Sequence, residues 1–160
     1  MTVAYLMRGA PEPITAAVPV PDLADPVKRG DFLVRMASCA DCHTPQERGQ
    51  TKPGFEFAGG LLFTTPEGTV MAPNITPDAS GISFYDEDLF IQAIRTGKVK
   101  ARTLSPIMPW LFYREMTDED LKAMYAYVRT LKPVKHTVDN TEPPTGCKLC
   151  GLKHGGGDRN

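Results

Sequence analysis

The sequence predicts a small, mostly α-helical domain with one core, interrupted by a long irregular stretch that must wrap something large. Three observations carry this. Apolar residues recur at helical spacing over 26–37, 86–96 and 117–132. Residues 44–82 lie between the first two of these and carry little helical signal, and an irregular segment of that length in a compact domain calls for a reason. The 160 residues suffice for one domain that buries about two thirds of its unfolded surface. A net charge of −1 gives no nucleic-acid footprint. No apolar run approaches the roughly 20 residues of a membrane span.

Residues 1–25 read as an extension, because Pro11, Pro13, Pro19, Pro21 and Pro26 exclude a long helix. Ala4-Tyr5-Leu6 followed by Pro11 echoes Ala126-Tyr127-Val128 followed by Pro133, at the same offset. The opening is therefore either the last turn of a preceding similar domain or a chance match.

The first helix is predicted from Asp25 as N-cap and Pro26 as first helical residue to about Ala37. Val27, Gly30, Val34 and Ala37 share one face. A mid-helix glycine costs about 1 kcal/mol against alanine, so Gly30 implies close approach of another helix. A short hairpin is expected within 57–73, with Leu61-Leu62-Phe63-Thr64 and Thr69-Val70-Met71 flanking the turn Thr65-Pro66-Glu67-Gly68. The second helix runs from about Asp86 to Thr96, with its cap open between Ser83 and Tyr85 and Gly97 just past its end. The last helix begins at the capping sequence Thr117-Asp118-Glu119-Asp120 and runs to about Lys132, with Leu121, Met124, Val128 and Leu131 on its apolar face.

Between the first helix and the irregular stretch stands Cys39-Ala40-Asp41-Cys42-His43. C-x-x-C-H is the attachment signature of a c-type haem. Two thiols add across the two vinyl groups of the ring, and the adjacent imidazole supplies the proximal ligand to the iron. A redox C-x-x-C needs a strand-to-helix context that is not visible here. A zinc site would need two further ligands, and the other pair, Cys147 and Cys150, lies far along the chain. Met108, held between Pro106 and Pro109, is the expected distal ligand, with Met71 and Met116 as its rivals. Haem attachment of this kind occurs outside the cytoplasm, which predicts a periplasmic or otherwise extracytoplasmic protein whose targeting signal is missing from this sequence. Membrane association would then come through a missing segment or a partner.

Residues 136–160 read as a polar, Gly-rich tail. In Cys147-Lys148-Leu149-Cys150-Gly151 a glycine stands where a haem needs histidine, so no second haem is expected. A metal site recruiting His154, with His136 the other histidine available, is one reading. A Cys147–Cys150 disulfide is preferred, because it needs only an oxidising compartment.

The chain resembles the small, mostly helical bacterial c-type cytochromes with His/Met ligation. It is most similar to the cytochrome c domains of membrane-bound alcohol, gluconate and aldehyde dehydrogenase complexes. The resemblance rests on Cys39-Ala40-Asp41-Cys42-His43-Thr44, Phe57-Ala58-Gly59-Gly60, Asn74-Ile75-Thr76-Pro77-Asp78, Ile107-Met108-Pro109-Trp110 and Met116-Thr117-Asp118-Glu119-Asp120, in the family's order over about residues 26–135. It implies a cytochrome c fold packed around one covalently bound haem c. Cys39 and Cys42 would hold the ring, with His43 proximal and Met108 distal. Gly30 would cross the last helix at Tyr127, and Asn74 would donate to a propionate. Asn74, Ile75, Phe90, Ile94, Ile107 and Trp110 form the expected haem pocket. Three features depart from the family: those subunits usually carry several C-x-x-C-H motifs where this sequence has one, Phe84-Tyr85-Asp86 replaces a common Trp-Ser-Asp, and the tail from His136 has no counterpart.

The function this implies is one-electron transfer between redox proteins, as a carrier or subunit rather than an enzyme by itself. Its expected donor and acceptor are redox proteins, such as a membrane-bound dehydrogenase or a terminal oxidase. The alternatives are a haem-carrying domain of a larger dehydrogenase, or a haem peroxidase or gas sensor if Met108 is not bound.

Overall fold

The structure is a computed structural model and describes residues 21–160 apart from positions 67 and 160. The Pro-rich opening up to residue 20, with the Ala4-Tyr5-Leu6 echo, lies outside the described residues, as does the second central position of the 65–68 turn.

Helix α1 (Pro26–Met36) starts as expected. The Asp25 carboxylate accepts from Val27 N and Lys28 N at 2.9 and 3.1 Å, filling two of the orphan donors of the first turn. It stops with Ala37 as its C-cap, and Ser38 turns the chain at φ 53°. Cys39 therefore opens a separate short helix, α2 (Cys39–His43), rather than ending α1.

Helix α3 (Glu87–Thr96) is capped by Asp86, whose carboxylate accepts from Leu89 N at 2.8 Å. The cap is therefore neither Ser83 nor Tyr85, the two residues expected from the sequence, because the Asp86 carboxylate reaches the first-turn N–H itself. Gly97 ends α3 at φ 67°, and a side chain there would collide with the Trp110 ring. Trp110 itself opens the short helix α4 (Trp110–Tyr113). Helix α5 (Asp118–Val128) begins at Thr117, whose hydroxyl accepts from Asp120 N at 3.1 Å. It ends at Val128, short of Lys132. There the chain tightens into i→i+3 bonds, Thr130 N to Tyr127 O at 2.8 Å and Leu131 N to Val128 O at 3.2 Å.

Helices α1 and α5 cross at Gly30, as the mid-helix glycine predicts. A Cβ there would run into the Ala123 carbonyl and lie 2.7 Å from Tyr127 Cβ. Arg29 braces the crossing, reaching Asp120 Oδ1 through Nε at 2.8 Å and Nη2 at 2.6 Å. Burial alone would push the Asp120 carboxyl up, but hydrogen bonds from Thr117 and Arg29 outweigh it and hold the group below its usual range. Val34, Phe90, Ile94, Leu121, Met124 and Val128 form the core between these helices.

Among the described residues, the strands form four two-stranded antiparallel hairpins. The expected one pairs β3 (Leu62–Thr65) with β4 (Gly68–Met71). The sequence did not reveal β1–β2 (Gln46–Glu47 with Gln50–Thr51), β5–β6 (Lys98–Val99 with Arg102–Thr103) or β7–β8 (Thr145–Gly146 with Lys153–His154). The segment after residue 133 is bound to the helical body at several points. Val134 N donates to Thr76 Oγ1 at 3.2 Å and His136 N to Ser80 Oγ at 2.9 Å. The Asn140 amide clasps Met71, accepting from its N–H at 2.8 Å and donating to its carbonyl at 3.0 Å. Among the described residues, no helix is long and apolar enough to cross a membrane.

Gly30→Leu should destabilise the protein by about 1–3 kcal/mol or more, because the α1–α5 contact leaves no room for the added carbons. Denaturant unfolding of the haem-loaded protein measures this, and a variant as stable as the parent would disprove the close crossing.

Candidate functional site

A cavity of about 1190 Å³ opens between α1, α2, α3, β4 and the 102–109 loop. That exceeds the roughly 300–1,000 Å³ of ordinary small-molecule pockets. Helix α2 brings Cys39, Cys42 and His43 to its wall. The cysteine sulfurs are thiols here and stand for the thioether sulfurs of an attached ring. Burial pushes the Cys39 thiol up to about 11, with Cys42 beside it adding to the shift.

His43 is 8% exposed, and its Nδ1 lies 2.8 Å from the Pro73 carbonyl. A carbonyl only accepts, so Nδ1 carries the proton and Nε2 keeps its lone pair for a metal. Burial lowers the imidazole below its usual pKa, against the opposing pull of the Pro73 bond, so the neutral ligand form prevails. The main chain around His43 is also fixed, since its carbonyl accepts from Gly59 N at 2.6 Å and Gly60 N donates to Ala72 O at 2.8 Å.

The rest of the wall is mostly apolar and includes Val34, Ile82, Phe90, Ile94, Leu104 and Tyr113. Of the expected pocket residues, Asn74, Ile75, Phe90, Ile94 and Ile107 line the cavity. Trp110 does not; its ring covers Gly97, and its buried Nε1 has no hydrogen-bond partner among the described residues. Asn74 lines the wall without the donor role expected of it. Its Nδ2 protons go to Val134 O at 2.8 Å, with Ser80 Oγ at 3.2 Å and His136 O at 3.3 Å also in reach, and its Oδ1 accepts from Thr76 N and Oγ1. No amide proton is left for a propionate.

Among the described residues, three methionines reach the cavity: Met71, Met108 and Met124. Met116 packs against the core instead. Met71 ends β4, two residues before the Pro73 carbonyl that holds His43. Met124 belongs to the buried face of α5. Met108 sits in an irregular turn, its N–H bonded to Ser105 O at 3.1 Å and its carbonyl accepting from Trp110 N at 2.8 Å.

Outside this cavity, the structure does not join Cys147 to Cys150 as a disulfide. The β7–β8 hairpin instead turns both thiols toward His136 and His154, and the four ligand atoms lie within 4.8 Å of one another, all in buried residues. The sequence supplied these residue types. The docking of 134–141 onto the body, which brings His136 to the hairpin, had no local signal.

Residues 27–132 match the cytochrome c family. The chain is 42% identical over 121 residues to the gluconate 2-dehydrogenase cytochrome c subunit of Pantoea cypripedii, covering 74% of this chain and 26% of that protein. It is 36% identical over 149 residues to the fructose dehydrogenase cytochrome subunit of Gluconobacter japonicus, covering 90% of this chain and 30% of that one. It is 38% identical over 111 residues to the cytochrome c subunit of a quinone alcohol dehydrogenase of Gluconobacter oxydans, covering 68% and 22% respectively. The chain thus spans between a fifth and a third of the length of these curated relatives. With its C-x-x-C-H helix set into the wall of one large apolar cavity, this chain belongs to the cytochrome c family and carries covalently bound haem c.

Proposed function

We propose that the chain passes single electrons between redox proteins, with His43 and Met108 as the two axial ligands. The observation that carries this is the His43 imidazole, buried, neutral and held by Pro73 so that its bare Nε2 faces a cavity that Met108 also lines. When bound, the haem iron supplies one-electron exchange between ferric and ferrous states, and a His/Met pair raises its potential relative to two histidines. The protein's contributions are anchorage by Cys39 and Cys42, orientation by His43, exclusion of water by the apolar wall and a thioether from Met108.

A peroxidase or gas sensor would need polar groups beside an open sixth position. The immediate neighbours of Met108 on the wall, Pro106, Ile107 and Pro109, offer none in their side chains, and the polar residues of that loop, Arg102, Thr103 and Ser105, stand three or more positions before it. The relatives favour a setting inside a sugar- or alcohol-oxidising dehydrogenase, with this chain as its haem-bearing electron-transfer part in an extracytoplasmic compartment. Ile107, Leu111 and Phe112 are exposed next to Met108 and suit a small, transient contact with a redox protein.

Met108→Ala should abolish the weak long-wavelength absorption of the ferric sulfur–iron bond and lower the reduction potential, while the haem stays covalently attached. An unchanged ferric spectrum and potential would remove Met108 from the iron.

A further inference from the structure

We propose that His136, Cys147, Cys150 and His154 form a closed structural zinc site, separate from the haem. All four residues are buried, and both histidines have no exposed surface. His136 Nδ1 lies 2.9 Å from Ala58 O, and His154 Nδ1 lies 2.9 Å from Gly155 O. Since a carbonyl only accepts, each Nδ1 bears the proton and each Nε2 presents a lone pair. Those two Nε2 atoms face each other at 2.8 Å, with Cys147 Sγ 3.5 Å from His136 Nε2. Two lone pairs repel at that distance unless a cation lies between them, and a proton alone would leave a full charge buried.

A divalent metal with two thiolates and two neutral imidazoles removes both difficulties, because the assembled site has no net charge. Two sulfur and two imidazole donors are a structural zinc set, and four protein ligands leave no open position for chemistry. The local fold suits it. Cys147 and Cys150 are separated by two residues in sequence, Gly151 reverses the chain at φ 79°, and the turn closes through Gly151 N to Cys147 O at 3.0 Å and Cys147 N to Leu152 O at 2.8 Å. Imidazoles that bind metal through one nitrogen usually donate the other N–H to a carbonyl or carboxylate, as both do here.

The site also bears on the haem. The Ala58 carbonyl that orients His136 belongs to the loop whose next residue, Gly59, donates to the His43 carbonyl. A Cβ on Gly60 would lie 2.9 Å from His136 Cε1 and 3.3 Å from His154 Cδ2, so the histidine pair packs directly on that loop. A metal here fixes the C-terminal segment to the main chain that positions the proximal ligand.

Elemental analysis of the haem-loaded protein, purified without chelator, should give one zinc for each haem iron. Zinc-edge X-ray absorption, which does not register iron, should show two sulfur ligands at about 2.3 Å and two nitrogens at about 2.0–2.1 Å. Cys150→Ser should lower the zinc content at least several-fold while leaving the haem attached. Each of three results would overturn the proposal: zinc bound only by oxygen and nitrogen, a Cys147–Cys150 disulfide found by thiol labelling of the denatured, unreduced protein, or zinc staying far below one per iron after the reduced protein is incubated with zinc chloride.

Discussion

The hydrogen bond from His43 Nδ1 to the Pro73 carbonyl is the constraint on which the rest of this structure depends. The two cysteines would fix where a ring is attached, but thioether bonds would not choose which imidazole nitrogen faces the iron. The Pro73 carbonyl makes that choice by accepting a hydrogen bond from Nδ1–H, which keeps the proton on Nδ1 and leaves Nε2 its lone pair. Its position is in turn set by the next residue. The Asn74 side chain accepts from Thr76 and donates to Val134 O, tying residues 73–76 to the chain leaving α5. An amide in that role cannot also serve a propionate, which is why the donor expected at Asn74 is spent inside the fold.

Much of this was legible in the sequence because it is locally encoded. Asp25 and Thr117 cap their helices through contacts two or three residues away, and Gly97 ends α3 where only a left-handed residue serves. Gly30 was legible for a related reason, since a mid-helix glycine has no local benefit and points to a neighbour. What was illegible depends on distant partners. The amide of Asn74 reads equally as a propionate donor or as a strut until Val134 and Thr76 are seen beside it. Trp110 lies two residues past Met108 in sequence, yet its ring turns onto Gly97 at the end of α3. The C-terminal segment reads as a polar tail because no local pattern reports the Asn140 clasp on Met71 or the burial of His136 under the 58–60 loop.

The chain carries two C-x-x-C pairs, and the residue after each second cysteine separates their chemistries. After Cys42 comes His43, still helical, so both sulfurs and the imidazole share one short helix on the cavity wall. After Cys150 comes Gly151 in the left-handed region, and the chain reverses into a hairpin that aims both sulfurs at two histidines. The first arrangement leaves a large apolar space for a ring with one covalent edge. The second gathers four ligand atoms within 4.8 Å of one another.

The central claim is that one haem is bound, through Cys39 and Cys42 alone, and that the second pair holds none. Intact mass under denaturing conditions, followed by mapping of the haem-bearing peptide, tests it most directly. The account predicts the mass of the polypeptide plus one haem, located on the peptide containing residues 39–43. A mass with no added haem, with two, or with the haem on the peptide containing Cys147 and Cys150 would contradict it.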